Sequence, residues 1–569
     1  LAFAWLSDAP ELRAASTTQA RGHLTDLALL LVGSGALLVA VILWLDNAQA
    51  GLTGNGVYKS LELKAWIADP AHAPLYPSNY FFYPAYGALC RLLDLLGVFA
   101  GDPRRQLTIL NAASAALCLG VVYRLIRVLT ADRWVAWITA LFHLASSYVL
   151  LLAISNEDIM PSYTITFAAM ALAGVWFAKP TAARVIVVSV LFSIGWLFEW
   201  RLMFPTLPAL LAALWLCERR PAARLGWTAL LLAGMVATAS VAAWAWRGHA
   251  GAVGPFELLW TGKGVHSAWA GFSWAKVGYL WDGLAGYLLG TAITCIKAIP
   301  GWDAWRYIAC GAMLVIAGVA LTVLWRQKDD GRSRALVAVF GGTFVAGEVF
   351  NLYSQPQDPQ MQINVMAWLT MGWALVLVAA RDRWGRRGLA ALAGLTVALL
   401  AYNVGSLAPL RGRDTAWQQS LDVIEHRAAP ARTVFLIHDF DWMKAYASLY
   451  WGLEESGTDA LGPSPQKLPK LKWIGFAYQL LQHPEWSTEQ HVADLRRQID
   501  HALELGYDVQ AVRVWRMELP KLSDDTAMVA DRHWLSEMHE MLHRDYVVIA
   551  TFDDPTIGAI DRLQRKPGR

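Results

Sequence analysis

Charge vanishes from this chain over stretches of about 16 to 22 residues and returns in short clusters, a recurrence that constrains its fold more than any motif does. About 20 apolar residues cross the hydrocarbon of a bilayer, so each such stretch reads as one crossing. Across 569 residues only 16% are charged, against roughly 25% in soluble domains. Spans are predicted at 25–45, 107–129, 134–154, 161–178, 183–198, 202–217, 225–246, 304–325, 335–353, 363–380 and 388–406. The fold class is therefore an α-helical polytopic membrane protein of about eleven transmembrane helices. The first apolar run is too long for a signal-peptide core and reads as a span.

Lysine and arginine set the expected orientation. One set of loops carries Lys179 and Arg184; Arg219, Arg220 and Arg224; Arg326, Lys328, Arg332 and Arg334; and Arg381, Arg383, Arg386 and Arg387. The alternating set is nearly bare, with only Arg201 in 199–201 and no basic residue in 155–160 or 354–362. This places the N-terminus in the cytoplasm and, with an odd number of spans, the C-terminal region outside. Residues 80–99 and 255–299 mix aromatics, glycines and charges and read as interfacial helices lying on the outer surface. The transmembrane domain thus runs over 1–406, with a first outer loop at 46–106 and an outer interfacial segment at 247–303.

Residues 407–569 have the composition of a soluble domain. Thr433–His438, Tyr507–Val514 and Tyr546–Thr551 read as strands and 489–505 as an amphipathic helix, giving a small extracytoplasmic α/β domain. All five cysteines (Cys90, Cys118, Cys217, Cys295 and Cys310) fall in apolar segments with no CxxC, which points to neither a disulfide framework nor a thiolate metal site. The net charge of +3 is spread over inter-span loops, so membrane lipids are the implied surroundings and nucleic acid is not an implied partner.

Acids at the ends of spans are costly and call for an explanation. Asp46 closes the first apolar run, and Asn156-Glu157-Asp158 fills the short gap between the spans ending at 154 and starting at 161. The proline-aromatic string Leu75-Tyr-Pro-Ser-Asn-Tyr-Phe-Phe-Tyr-Pro-Ala-Tyr86 lies late in the first outer loop, and Gln355-Pro-Gln-Asp-Pro-Gln-Met361 precedes a late span. In order and spacing these four features resemble the GT-C superfamily of polyprenyl-phosphate-sugar-dependent glycosyltransferases, which includes protein O-mannosyltransferases and the aminoarabinose transferases of lipid A. The resemblance covers roughly 25–405. The chain departs from it in carrying Asn47 after Asp46 where Glu is frequent, in lacking an Asp-x-Asp in the first outer loop, and in its C-terminal domain.

The resemblance implies an inverting transfer of a hexosyl or pentosyl group from a polyprenyl-phosphate-linked sugar to a glycan, lipid or protein acceptor at the outer face of a bacterial cytoplasmic (inner) membrane. Such a reaction needs a carboxylate to take the acceptor proton, and Asp46 is the expected general base. Asn156, Glu157 and Asp158 are expected to hold the acceptor, the alternative for the two acids being a solvated turn. The leaving group is a lipid phosphate, so cations should cradle it. The candidates are Lys59, Lys64, Arg201, and Lys263 and His266 of Trp260-Thr-Gly-Lys-Gly-Val-His266, a string without the Walker pattern. Tyr83 is placed to stack on a sugar or prenyl group, or to join an interfacial aromatic belt. No cofactor is expected to be obligatory; two adjacent carboxylates in one loop leave a divalent metal open. His438-Asp-Phe-Asp441 reads as strand-end acids capping a loop. Two other classes remain: a lipid-linked-substrate transporter or flippase, which would favour charged or broken helices near mid-membrane, and a non-catalytic scaffold of an envelope complex, which would need no such acids.

Overall fold

The computed structural model describes residues 17–46, 55–71, 73, 75, 79–249, 252–259, 272, 274–289, 302–326, 330–353, 362–427, 433–437, 443, 446–447, 472–476, 483, 485–516 and 529–568. The chain divides into two compact units, with the main boundary between Arg411 and Gly412.

The first unit is helical. Its elements are α1 (Thr17–Leu45), α2 (Asn55–Ala68), α3 (Phe82–Leu95), α4 (Pro103–Thr130), α5 (Arg133–Ala145), α6 (Ser147–Ala153), α7 (Ile159–Trp176), α8 (Ala182–Phe198), α9 (Met203–Cys217), α10 (Pro221–Ala245), α11 (Pro255–Leu259), α12 (Trp274–Gly286), α13 (Trp302–Arg326), α14 (Gly331–Leu336), α15 (Gly342–Tyr353) and α16 (Met366–Gly405). Eight helical stretches among the described residues are long and apolar enough to cross a membrane, and the α5–α6 pair makes a ninth if counted as one bent span. The apolar α8, 17 residues long, falls just short of that length. Gly385, at φ 58° and ψ −142°, breaks the 40-residue α16 among its arginines, which accounts for two predicted spans inside one continuous stretch. Each of the predicted segments is thus helical, and the protein is a multi-pass membrane protein.

The helix ends follow local chemistry. Asp102 accepts from the amides of Arg104 and Arg105 ahead of α4, and Pro103 sits where its missing N–H costs nothing. Asp132 does the same for α5 through Trp134 and Val135. The stretch predicted as one span over 134–154 is instead bent by 70° at Ser146. The bend strands backbone groups that lipid cannot satisfy, and neighbouring helices supply partners. Asn403 of α16 donates to the Ala145 carbonyl at 2.7 Å, and the Ser147 amide donates to the Tyr287 carbonyl at 3.0 Å. Small residues let helices close up: a Cβ on Gly372 would lie 2.5 Å from the Ile316 carbonyl oxygen, where α16 crosses α13.

Helix α3, 14 residues long, is too short to span. It buries Tyr83, Tyr86 and Cys90 against the helical unit and exposes Leu89, Leu92 and Leu95. Helices α11 and α12 are also short, and residues 260–271 and 290–301 of that segment lie outside the described residues.

The second unit contains α17 (Arg413–Arg427), β1 (Thr433–Ile437), β2 (Lys472–Gly475), α18 (Thr488–Glu504), β3 (Asp508–Val512), α19 (Val529–Asp545), β4 (Tyr546–Asp554) and β5 (Gly558–Arg565). The sheet order is β2-β1-β3-β5-β4; β1 pairs parallel with β2 and β3, while β5 pairs antiparallel with β3 and β4. Every residue of β1 is buried, as a strand covered on both faces requires. Leu495, Ile499, Trp534 and Met538 of α18 and α19 pack on Val434 and Leu436. Trp417, Leu421 and Ile424 of α17 pack on Phe435 and Ile437 from the other side. The acids Asp439 and Asp441 lie outside the described residues.

Candidate active site

Four segments of the helical unit converge on a buried polar network: α2, the approach to α3, the α6–α7 loop and the α8–α9 turn. The α6–α7 loop is held from behind. Asn111 of α4 donates to the carbonyls of Ser155 and Glu157 at 2.8 and 2.6 Å, and Tyr86 of α3 donates to Asn111 at 3.3 Å. Asn156 donates to the Ser60 hydroxyl at 3.1 Å, tying the loop to α2. Ser155, Asn156, Glu157 and Asp158 are all buried, so this is no solvated turn.

Lys59 is the central cation. Its Nζ lies 2.9 Å from Asp158 Oδ2 and donates to Asn79 Oδ1 at 2.8 Å. It also sits 5.2 Å above the centre of the Tyr83 ring, whose hydroxyl donates to Glu62. Asn79 is the hub: its Nδ2 lies 2.7 Å from Asp158 Oδ2, 3.0 Å from Glu199 Oε2 and 3.1 Å from the Phe198 carbonyl. Glu199 in turn accepts from Arg201 Nε at 2.7 Å and from the Arg201 amide at 3.2 Å. The acids are sealed while the cations keep an opening: the Asp158 side chain is 1% exposed, and those of Lys59 and Arg201 are 18% each.

The electrostatics follow from this packing. Burial opposes the Lys59 ammonium, but the carboxylates of Asp158, Glu62 and Glu199 outweigh it and hold its pKa above the ordinary lysine value. Burial likewise opposes the Asp158 carboxylate, and the charges of Lys59 and Arg201 outweigh it and hold its pKa below the ordinary value. Both groups are ionised at neutral pH, and the network presents two fixed cations braced by acids beneath them.

Of the residues singled out in the sequence, Lys59, Tyr83, Asn156, Asp158 and Arg201 come together here, with Glu157 buried alongside. Lys64 is on an exposed face of α2. Asp46 ends α1 in a left-handed conformation at φ 43°, is 54% exposed, and pairs with Arg105 Nη2 at 2.9 Å. Lys263, His266 and Gln355–Met361 lie outside the described residues. The sequence alone does not mark Asn79, Glu62 or Glu199 as members of the site. Asn79 lies inside the proline-aromatic string, yet nothing in its neighbours marks it as the hub, because its partners stand 20 to 120 positions away. Among the described residues no three His, Cys, Asp or Glu side chains are grouped to hold a metal. The Asp158 oxygen facing the network is already engaged by Lys59 and Asn79.

No protein-family model matches the chain, and no curated protein matches it. Solved structures do. ArnT from Cupriavidus metallidurans in the apo state superposes with a TM-score of 0.50 at 14% identity, covering 93% of this chain and 98% of that one. ArnT from the same organism bound to undecaprenyl phosphate gives 0.49 at 14% identity, over 93% and 97%. The chain therefore has the fold of ArnT over 93% of its length.

Proposed function

We propose that this protein transfers a glycosyl group from a polyprenyl-phosphate-linked sugar to an acceptor hydroxyl, with inversion, at the outer face of a bacterial cytoplasmic membrane. The observation that carries the reading is the Lys59–Asp158–Asn79–Glu199–Arg201 network, buried among membrane helices in a chain with this fold. An enzyme releasing a lipid phosphate needs fixed cations where that charge develops, already oriented before the reaction begins. Lys59 and Arg201 meet that need: each keeps one side open, and each is held by a carboxylate with which it makes a charge-assisted hydrogen bond. Asp158 and Glu199 then act on the donor through the cations they position, and Asn156 and Glu157, both buried, shape the adjacent loop in place of the acceptor-holding role expected from the sequence. Tyr83, expected from the sequence to stack on a sugar or prenyl group, is instead fully buried beneath Lys59 and supports that cation from below.

Asp46 is the proposed general base. It is accessible, as a group that must reach an acceptor hydroxyl has to be, and Arg105 fixes its direction. On this reading no divalent ion is obligatory, the N-terminus is cytoplasmic and the C-terminal unit extracytoplasmic. The test is donor dependence: Arg201→Ala should weaken use of a polyprenyl-phosphate sugar by about 1.5–3 kcal/mol, the value of a charge-assisted bond. Unchanged donor KM and turnover in that variant would move the phosphate site elsewhere.

A further inference from the structure

A second polar constellation lies in the same unit, at the end of α15. Glu348 and Asn351 stand one helical turn apart, the Asn351 amide close to the Glu348 carboxylate without a well-formed hydrogen bond to it, in a segment apolar enough to cross a membrane. Gln362, at the start of the next stretch, donates to Glu348 Oε2 at 3.3 Å, and its own Oε1 accepts from Tyr287 at 3.0 Å. Among the described residues, Glu348 Oε1 and both amide atoms of Asn351 make no well-formed hydrogen bond, and Asn351 is fully buried. Phe350, on the same turn of α15, stacks on Phe204 at 5.2 Å, and Phe204 meets Trp200 at 5.1 Å. An aromatic ladder therefore links this place to the turn that holds Arg201.

Leaving buried polar atoms unmatched costs about 1–3 kcal/mol for each group, more for a charged one, and polar groups within membrane spans commonly mark function. The unmatched set is mixed: a carboxylate oxygen that only accepts, and a carboxamide that both accepts and donates. A metal ion would satisfy only the acceptors, and an ammonium group would leave the amide donor unmet. Hydroxyl groups answer both needs. One can donate to Glu348 Oε1, while an adjacent pair can donate to Asn351 Oδ1 and accept from its Nδ2.

We propose that Glu348 and Asn351, braced by Gln362 and Tyr287, form a site that recognises the ring hydroxyls of a sugar. The site deepens the glycosyl-transfer reading and rests on it for the source of that sugar, which is the ring of the donor or of a glycosylated acceptor.

The experiment compares wild type, Asn351→Leu and Glu348→Gln in lipid nanodiscs. Asn351→Leu removes an amide that makes no well-formed hydrogen bond, so it should fold with nearly unchanged thermal stability; a marked loss in both variants would show a structural role and overturn the proposal. Binding is measured for undecaprenyl phosphate and for undecaprenyl phosphate carrying glucose, mannose or arabinose. Loss of two hydrogen bonds should weaken binding of a recognised sugar-bearing lipid by roughly tenfold while sugarless lipid binds as before, identifying the donor ring. Unchanged donor binding with acceptor KM raised by roughly tenfold would identify the acceptor ring instead. A third arm uses methyl glycosides of the same sugars at high concentration, read as protection against thermal unfolding. If wild type binds none of the lipids but a glycoside protects it and not the variants, the hydroxyl site stands and the donor reading falls. If sugarless lipid loses as much affinity as the sugar-bearing lipid, or if no arm separates wild type from the variants, the hydroxyl site is refuted.

Discussion

Replacing Lys59 with Met keeps most of the side-chain length and removes the cation from the centre of the network. Asp158, 1% exposed, then loses its 2.9 Å ion pair and keeps the Asn79 amide at 2.7 Å and the contact with its own backbone amide. Removing one partner of a buried pair costs about 3–5 kcal/mol, because the other charge is stranded. The remaining Asn79 bond and the more distant charge of Arg201 place this case near the low end, about 3 kcal/mol. Removing the stranded charge as well should relieve most of that cost. The double variant Lys59→Met/Asp158→Asn should lie within about 1 kcal/mol of wild type, the net value of an ordinary buried hydrogen bond. Function should not recover with stability, since the double variant still lacks the cation proposed to meet the donor phosphate. Equilibrium unfolding in mixed micelles gives the stabilities, and binding of a polyprenyl-phosphate sugar gives the function. A double variant as unstable as Lys59→Met, or one that regains donor binding with its stability, would refute the stranded-charge reasoning.

The same pair fixes a pH window. Asp158 has a depressed folded pKa, so its contribution is fully present above the unfolded value near 3.9 and is lost as pH falls through the folded value. Lys59 has a raised folded pKa, so its contribution is fully present below about 10.4 and is lost as pH rises through the folded value. The thermal stability of wild type relative to the double variant should therefore be constant between about pH 4 and pH 10 and shrink outside it; thermal melts across that range check this. Gly372→Ala should cost about 1–3 kcal/mol in the same unfolding assay, because the added methyl meets the Ile316 carbonyl where α13 and α16 cross.

The helical frame was legible because one bilayer thickness imposes one length on each apolar stretch, and the arginines around Gly385 marked the break in α16. The bend at Ser146 was not legible. The residues that repair it, Asn403 and Tyr287, are far away in the chain, and an apolar run reads alike whether straight or bent. In the C-terminal unit β1, β3 and β4 stood out as apolar runs. By contrast, β2 has four residues, and β5 carries Asp561, Arg562 and Arg565 among its apolar positions. At the site, residue type identified the charged members: a lysine or an acid beside a membrane span attracts suspicion on cost alone. Asn79 escaped because a neutral amide in an aromatic loop carries no such cost until its partners are known.

Transfer itself is the most direct measurement. Purified protein in lipid, supplied with a polyprenyl-phosphate sugar and acceptor, should move the sugar, and Asp46→Asn should fold normally while losing about 10²–10⁴-fold in turnover, the usual range for a general base. Near wild-type turnover in Asp46→Asn would contradict the assignment of the base, and absence of transfer by the wild type from any polyprenyl-phosphate sugar would contradict the proposed reaction.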